Sequence, residues 1–287
     1  MNSSPDASLG AQLVLGGELR IHRLGFGAMR ITGPGVWGNP PDISVAVRLL
    51  RRAVHLGVNF IDTADAYGPE VSENLLARAL YPYPADLVIA TKGGLVRPGP
   101  GEWVRDARPA HLREACEASL KRLRRERIDL YQLHAPDPAV PLEESVGELG
   151  RLRAEGKVRH IGVSNVTLEE LRRCERVVPV VAVQNRFNIQ DRHGDDVLEH
   201  CAARGTAFLP WAPLGSGRHA AGGEVPAALA RLAERRGISA AQAAIAWLLQ
   251  RASVVVPIPG TASMGHLEEN IAAAGIVLTA EELRSIG

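Results

Sequence analysis

The feature that most constrains the fold is a repeated alternation. Eight short apolar runs are each followed by a longer amphipathic run. The first four are RLGFGAM (23–29) before a helical pattern near 43–56, VNFID (58–62) before 70–80, DLVIATK (86–92) before 109–125 and IDLYQLH (128–134) before 142–154. The rest are VRHIGVSN (158–165) before 167–176, PVVAVQN (179–185) before 194–203, TAFLPWA (206–212) before 239–250 and SVVVPIPG (253–260) before 264–273. The short runs barely alternate, as expected of parallel strands covered on both faces. Eight consecutive strand-helix units in about 250 residues fit an α/β fold of the (β/α)8 TIM-barrel type. A doubly wound sheet fits less well, because GFGAMR has Arg30 where a G-x-G-x-x-G fingerprint needs glycine nearby. Ahead of the repeats, LVLGGELRI around Gly16-Gly17 reads as a β-hairpin. No Pro- or Ser-rich linker interrupts the chain, so residues 1–287 read as one domain, with 1–10 a flexible tail.

Composition narrows the function classes. The 287 residues are 46% hydrophobic, enough for a large core. Thirty-three basic residues balance 32 acidic ones, which points away from nucleic acid and acidic membranes as partners. The basic run KRLRRER (121–127) continues a helical pattern and reads as a solvated helix face. Cys116, Cys174 and Cys201 are far apart and suit neither a disulfide framework nor a metal site. Each reads as a small buried residue in or near a helix. The opening MNSSPDASLG does not read as a secretory leader, and no apolar stretch is long enough to span a bilayer, so a cytoplasmic location is expected. Nothing in the sequence specifies an oligomeric state.

In a barrel of this kind, function gathers at the carboxyl ends of the strands. The second run ends at Asp62, the third at Lys92, the fourth at His134, the fifth at Ser164-Asn165 and the sixth at Gln184-Asn185. Each residue alone is unremarkable. Asp62 could be a turn residue, Lys92 a surface lysine, His134 a loop residue and Tyr67 a packing residue. Their convergence on one mouth is the informative observation.

With Tyr67 added, these residues carry a resemblance. FIDTADAYG, ATKGG, YQLH, GKVRHIGVSN and VAVQNRFN occur in order after successive expected strands, and the chain from about residue 12 to its end resembles the aldo-keto reductase family. The resemblance implies a barrel whose bottom is closed by the N-terminal hairpin, and hydride transfer between NADP(H) and an aldehyde or ketone. It implies a catalytic set of Asp62, Tyr67, Lys92 and His134. Physical reasoning is compatible with that. A phenol is a weak acid near neutral pH, and a nearby cation is expected to lower its pKa. Lys92 can be that cation, Asp62 can orient it, and His134 can hydrogen-bond the carbonyl oxygen.

The resemblance also implies cofactor contacts. Ser164, Asn165 and Gln184 are expected at the nicotinamide carboxamide, whose donors and acceptor suit amide and hydroxyl groups. Trp211 is expected to stack on the nicotinamide. Gly27, Met29 and Asp62 border it, and Ala212, Leu214, Gly215, Ser216 and Gly217 are expected near the pyrophosphate. Ile258, Gly260, Thr261, Ser263, His266, Glu269 and Asn270 are expected at the adenosine end. Relatives often carry Lys or Arg where this chain has Gly260, Ala262 and His266, which leaves Thr261, Ser263 and His266 as phosphate donors. NADP is expected over NAD. The substrate pocket is expected from Met29, Trp37, Tyr67, Trp103 and His134, with loops near 93–106 and 213–224. The chain ends with LTAEELRSIG (278–287), and an open site is expected. ITGPGVWGNPPD, ALYPYPADLVIATK and LPWAPLG resemble a bacterial branch that includes pyridoxal reductases, so pyridoxal is the leading expected substrate. Another carbonyl compound of secondary metabolism is the alternative. A non-catalytic cofactor-binding subunit is disfavoured because all four catalytic residue types are present.

Overall fold

The computed structural model describes residues 5–215 and 225–287. A hairpin of β1 (Gln12–Leu15) and β2 (Leu19–His22) comes first, turning on Gly16 and Gly17, both at positive φ. Seven parallel strands follow in one curled sheet: β3 (Phe26–Gly27), β4 (Phe60–Asp62), β5 (Val88–Gly93), β8 (Ile128–Leu133), β9 (Val158–Ser164), β10 (Val180–Gln184) and β11 (Ala207–Phe208). Between β5 and β8 lies a small hairpin of β6 (Leu95–Val96) and β7 (Val104–Arg105).

The eighth expected strand is present but irregular. Val256 donates to the Phe208 carbonyl at 2.8 Å, while Gly25 donates to the Pro257 carbonyl at 2.9 Å, so this segment joins β11 to β3 and closes the barrel. It carries no regular ladder because Pro257 and Pro259 have no N–H to donate. Closure needs close backbone approach. A Cβ at Gly27 would lie 2.6 Å from the Ile258 carbonyl oxygen, and one at Gly260 would collide with the Gly27 carbonyl.

Helices α1 (Ile43–His55), α2 (Val71–Leu80), α3 (Pro109–Leu123), α4 (Leu142–Ala154), α5 (Leu168–Val177), α6 (Asp195–Arg204), α8 (Ala240–Arg251) and α9 (Met264–Ala272) match the eight expected runs. Their ends follow local chemistry. Asp42 accepts from the Ser44 and Val45 amides at the start of α1, and Thr167/Glu170 and Ser239/Gln242 form capping boxes on α5 and α8. Two further helices, α7 (Ala227–Arg236) and α10 (Ala280–Ile286), were not among the expected runs. AALARLAERR before Gly237 carries the pattern of α7, with that glycine in the left-handed conformation at the helix end.

Leu15 and Ile21 of the hairpin pack with Phe60, Val88, Ala90, Leu130, Ala182, Ala207 and Val256 inside the barrel, so the hairpin plugs its bottom. Of the flexible tail expected over 1–10, residues 1–4 lie outside the described residues, and the part from residue 7 is packed. Ala7 is buried, and its N–H donates to the Leu56 carbonyl at 2.8 Å. The cysteines behave as expected, buried on α3, α5 and α6, where burial pushes each thiol up to about 12. Among the described residues, no helix is long and apolar enough to cross a membrane.

Candidate active site

The period of two along a strand explains why the mouth residues meet. On β5, Val88 and Ala90 fill the barrel interior, so Lys92 points inward above them. Phe60 does the same beneath Asp62, Leu130 beneath Gln132, and Ala182 beneath Gln184. The top layer is therefore polar where the layers below are aliphatic.

Lys92 lies in the middle of that layer with no solvent exposure. Its ammonium donates to Asp62 Oδ2 at 2.7 Å, to the Thr63 carbonyl at 2.8 Å and to Tyr67 Oη at 3.1 Å, which uses all three protons. Asp62 Oδ1 accepts from Gln184 Nε2 at 2.8 Å and Gln132 Nε2 at 3.2 Å. Burial disfavours the Lys92 charge, but Asp62 and Tyr67 more than offset it, and its pKa is raised. The ammonium is thus a fixed cation. The expected lowering of the Tyr67 pKa is not what the structure shows. Burial raises it, and Lys92, whose charge is shared with Asp62, only partly counters that. Tyr67 therefore holds its proton at neutral pH.

His134 faces Tyr67 edge-on, with ring centroids 5.8 Å apart. Burial, followed by the Lys92 charge, pushes its pKa well below the usual imidazole value, so it is neutral near pH 7. Its Nδ1 is buried and has no hydrogen-bond partner among the described residues.

These groups form the floor of a cavity of about 920 Å3. Asp62, Tyr67, His134, Ser164, Asn165, Gln184 and Trp211 line one end, and Ile258, Gly260, Thr261, His266 and Asn270 the other, with Gly27, Met29, Trp103, Ala212 and Leu214 also on the wall. Lys92 acts from beneath. Four expected contacts do not line it. Ser263 instead caps α9 and accepts from the His266 amide, Glu269 and Gly215 fall off the lining, and the Trp37 ring sits 5.6 Å from the Arg97 guanidinium. Ser216 and Gly217, with the rest of residues 216–224, lie outside the described residues.

The amide groups expected to be available for a ligand are partly engaged. Asn165, at positive φ, donates to the His134 carbonyl and Ser164 Oγ, while its Oδ1 accepts from Trp211 Nε1 at 3.0 Å. That last bond sets the plane of the indole. Gln184 Nε2 is held by Asp62.

Several residues escaped sequence reasoning. Gln132 holds Asp62 from two positions before His134 on the same strand, a spacing that could have revealed it. Thr63 works through its carbonyl, which no residue type signals. Arg30 lines the cavity with its Cγ packed near Gly260, and so brings a cation to the end where one was missing from the 258–266 segment. Among the described residues, no group of three or more acidic, His or Cys side chains could hold a metal ion.

Comparison with known proteins shows the family. Residues 23–287 match the family model described as Aldo/keto reductase family. The chain is 48% identical over 280 residues to an uncharacterised oxidoreductase of Schizosaccharomyces pombe, covering 98% of this chain and 90% of that protein. It is 39% identical over 280 residues to pyridoxine 4-dehydrogenase of Escherichia coli, covering 94% of this chain and 95% of that protein. The crystal structure of an aldo/keto reductase from Klebsiella pneumoniae in complex with NADP and acetate superposes with a TM-score of 0.82 at 29% identity, covering 96% of this chain and 93% of that one.

Proposed function

The chain belongs to the aldo/keto reductase family, and from that premise we propose that it reduces an aldehyde or ketone to an alcohol with NADPH, Tyr67 being the proton donor. The observation that carries this reading is the triple engagement of Lys92 with Asp62, the Thr63 carbonyl and Tyr67 at the floor of the cavity.

The cavity fits a dinucleotide. Its volume exceeds what a small carbonyl compound needs, and it joins the Tyr67 end to the Thr261 and His266 end. Trp211 offers a flat face, Ser164, Asn165 and Gln184 polar edges, and Arg30, Thr261 and His266 donors for phosphate oxygens. When bound, NADPH supplies the hydride that forms the new C–H bond at the carbonyl carbon. The π electrons of the C=O bond move onto oxygen, and Tyr67 transfers its phenolic proton there. A solvent proton then restores the phenol. Lys92 stabilises the phenolate formed in between, and Asp62 with its two glutamines keeps Lys92 charged and aimed. Neutral His134 hydrogen-bonds the carbonyl oxygen through one ring N–H. The Tyr67 proton is held until the oxygen develops negative charge, which suits a donor better than an already ionised phenol would.

Pyridoxal, yielding pyridoxine, is the substrate we favour. Similarity to a pyridoxine 4-dehydrogenase over 94% of the chain supports it, and Trp103 on the cavity wall suits a flat ring. The test is NADPH oxidation followed at 340 nm with 4-nitrobenzaldehyde and with pyridoxal. Tyr67→Phe should lower kcat by about 10²–10⁴-fold, as for loss of a positioned proton donor. Equal rates for the two proteins would remove Tyr67 from the mechanism, and no turnover of pyridoxal would remove that substrate. KM should be lower for NADPH than for NADH; the reverse order would overturn the cofactor choice.

A further inference from the structure

Arg97 is a buried cation that, among the described residues, has no carboxylate partner. It stands on the β6–β7 hairpin, and its guanidinium donates to four backbone carbonyls among the described residues: Glu102 at 2.6 Å, Val36 at 2.9 Å, Ala66 at 3.2 Å and Gly35 at 3.2 Å. Those carbonyls belong to three successive loops at the barrel mouth, the ones after β3, β4 and β5. The Ala66 carbonyl directly precedes Tyr67. The same guanidinium lies 3.7 Å from the centroid of the Trp103 ring, a stacking distance.

Trp103 needs such support. It is 39% exposed and sits beside a hairpin with only two paired positions, Leu95 with Arg105 and Val96 with Val104. Two-stranded ribbons of that size are weakly stable alone. Yet the indole is placed edge-on to both members of the proposed reacting pair, 6.4 Å from Tyr67 and 6.4 Å from His134, centroid to centroid. Arg97 does not itself line the cavity, whereas Trp103, Gly35 and Val36 do.

We propose that Arg97 is a positioning residue: by stacking on Trp103 and bonding three mouth loops, it holds a rigid aromatic wall beside Tyr67 and His134, and thereby selects flat aromatic carbonyl substrates. This rests on the reductase reading for the location of the reacting carbonyl. With one indole face covered by the guanidinium, the cavity meets the rest of the ring. A carbonyl oxygen held at Tyr67 and His134 places an attached aromatic ring against that surface, whereas a short aliphatic chain has no face to offer. Lysine cannot replace Arg97, since a point ammonium can neither stack as a plane nor reach four acceptors in a fork.

The test is equilibrium binding by calorimetry to the full chain, with and without NADP, using 4-nitrobenzamide as a flat non-reducible carbonyl compound and isobutyramide as its aliphatic counterpart. Arg97→Lys should weaken 4-nitrobenzamide about tenfold, the size of one lost aromatic contact, with a much smaller change for isobutyramide. In a Trp103→Ala background the same substitution should add nothing for 4-nitrobenzamide, because the wall it supports is gone. Parallel losses for both amides, additive losses in the double variant, or unchanged binding would each overturn the proposal. Should Arg97→Lys not fold, Trp103→Ala alone must show the tenfold selective loss, and its absence would overturn the proposal too. Failure of the wild type to oxidise NADPH with 4-nitrobenzaldehyde would refute the reductase reading instead, while the binding comparison would still decide the role of Arg97.

Discussion

Strand β5 has an ion pair against each of its faces, buried on the inner face and with a partly exposed Arg122 on the outer, and the two are used differently. On the inner face Lys92 meets Asp62 at 2.7 Å, with both side chains almost wholly shielded. On the outer face Thr91 donates to Glu73 Oε1 at 2.6 Å, and Glu73 Oε2 accepts from Arg122 Nε at 2.6 Å. This outer pair joins α2 and α3 to the strand. The chemistry of the two pairs is alike. Their outlets differ, because the third proton of Lys92 goes to a phenol on the cavity wall, whereas Arg122 spends its remaining donors on Ser119 and Glu70. A buried ion pair is weak evidence for stability or function by itself. What it is aimed at decides.

The sharpest way to break this contrast is Lys92→Met. We expect kcat/KM to fall by about 10³-fold or more, since it removes the cation proposed to stabilise the Tyr67 phenolate. Stability should also fall, by about 3–5 kcal/mol, because Asp62 is left buried without its counterion. Adding Asp62→Asn should return much of that stability and none of the activity. Thermal melts and steady-state rates on the two variants separate these effects, and a single variant with activity within tenfold of wild type would contradict the role given to Lys92.

Glu73→Gln breaks the outer pair. The amide keeps a hydrogen bond to Thr91 but leaves Arg122 without its nearest charge. A loss of about 3 kcal/mol is expected, with kcat within about threefold at 25 °C. A large drop in kcat in still-folded protein would show that the two faces of β5 are coupled.

The smallest effect concerns Asp65, which lies between the two pairs in sequence and in field. The residue is partly exposed, but its Oδ1 is buried with no hydrogen-bond partner among the described residues. Burial first, and then the Glu73 charge, pushes its carboxyl from the ordinary 3.8 up to about 8. The folded chain therefore holds a proton that the unfolded chain releases. That contribution to stability is fully present below about pH 4 and is lost as pH rises through about 8. Asp65→Asn should melt on the order of 2–4 °C higher than wild type at pH 8.5, with the difference shrinking toward pH 5. Parallel melting curves across that range would show that Asp65 is ionised throughout.

Much of the candidate site is legible in the sequence. Asp62, Lys92 and Gln184 each close an apolar run, and the period of two carries them to the same interior layer as the aliphatic residues below. Gln132 obeys the same rule and was passed over because it lies inside a run rather than at its end. The tryptophans behaved otherwise. Trp37 and Trp103 both stand on Gly- and Pro-rich mouth segments, and both read as pocket residues. Only Trp103 lines the cavity, while the backbone of Trp37 bridges to Gly68 and its ring turns toward Arg97. The pKa of Tyr67 departs from the sequence expectation for a related reason. The sequence places a cation near it, but the extent of burial and the prior claim of Asp62 on that cation are properties of the packed structure.

The sequence by itself determined the barrel, the order of its strands and which residue types reach its mouth. Those follow from hydrophobic periodicity and turn chemistry, which act over a few residues. The tertiary structure decided what those residues do to one another: which nitrogen of which glutamine holds Asp62, how far burial outweighs Lys92 at Tyr67, and how Arg97 ties three loops behind one indole. Such effects depend on distance and dielectric between segments tens of residues apart, and no local pattern encodes either.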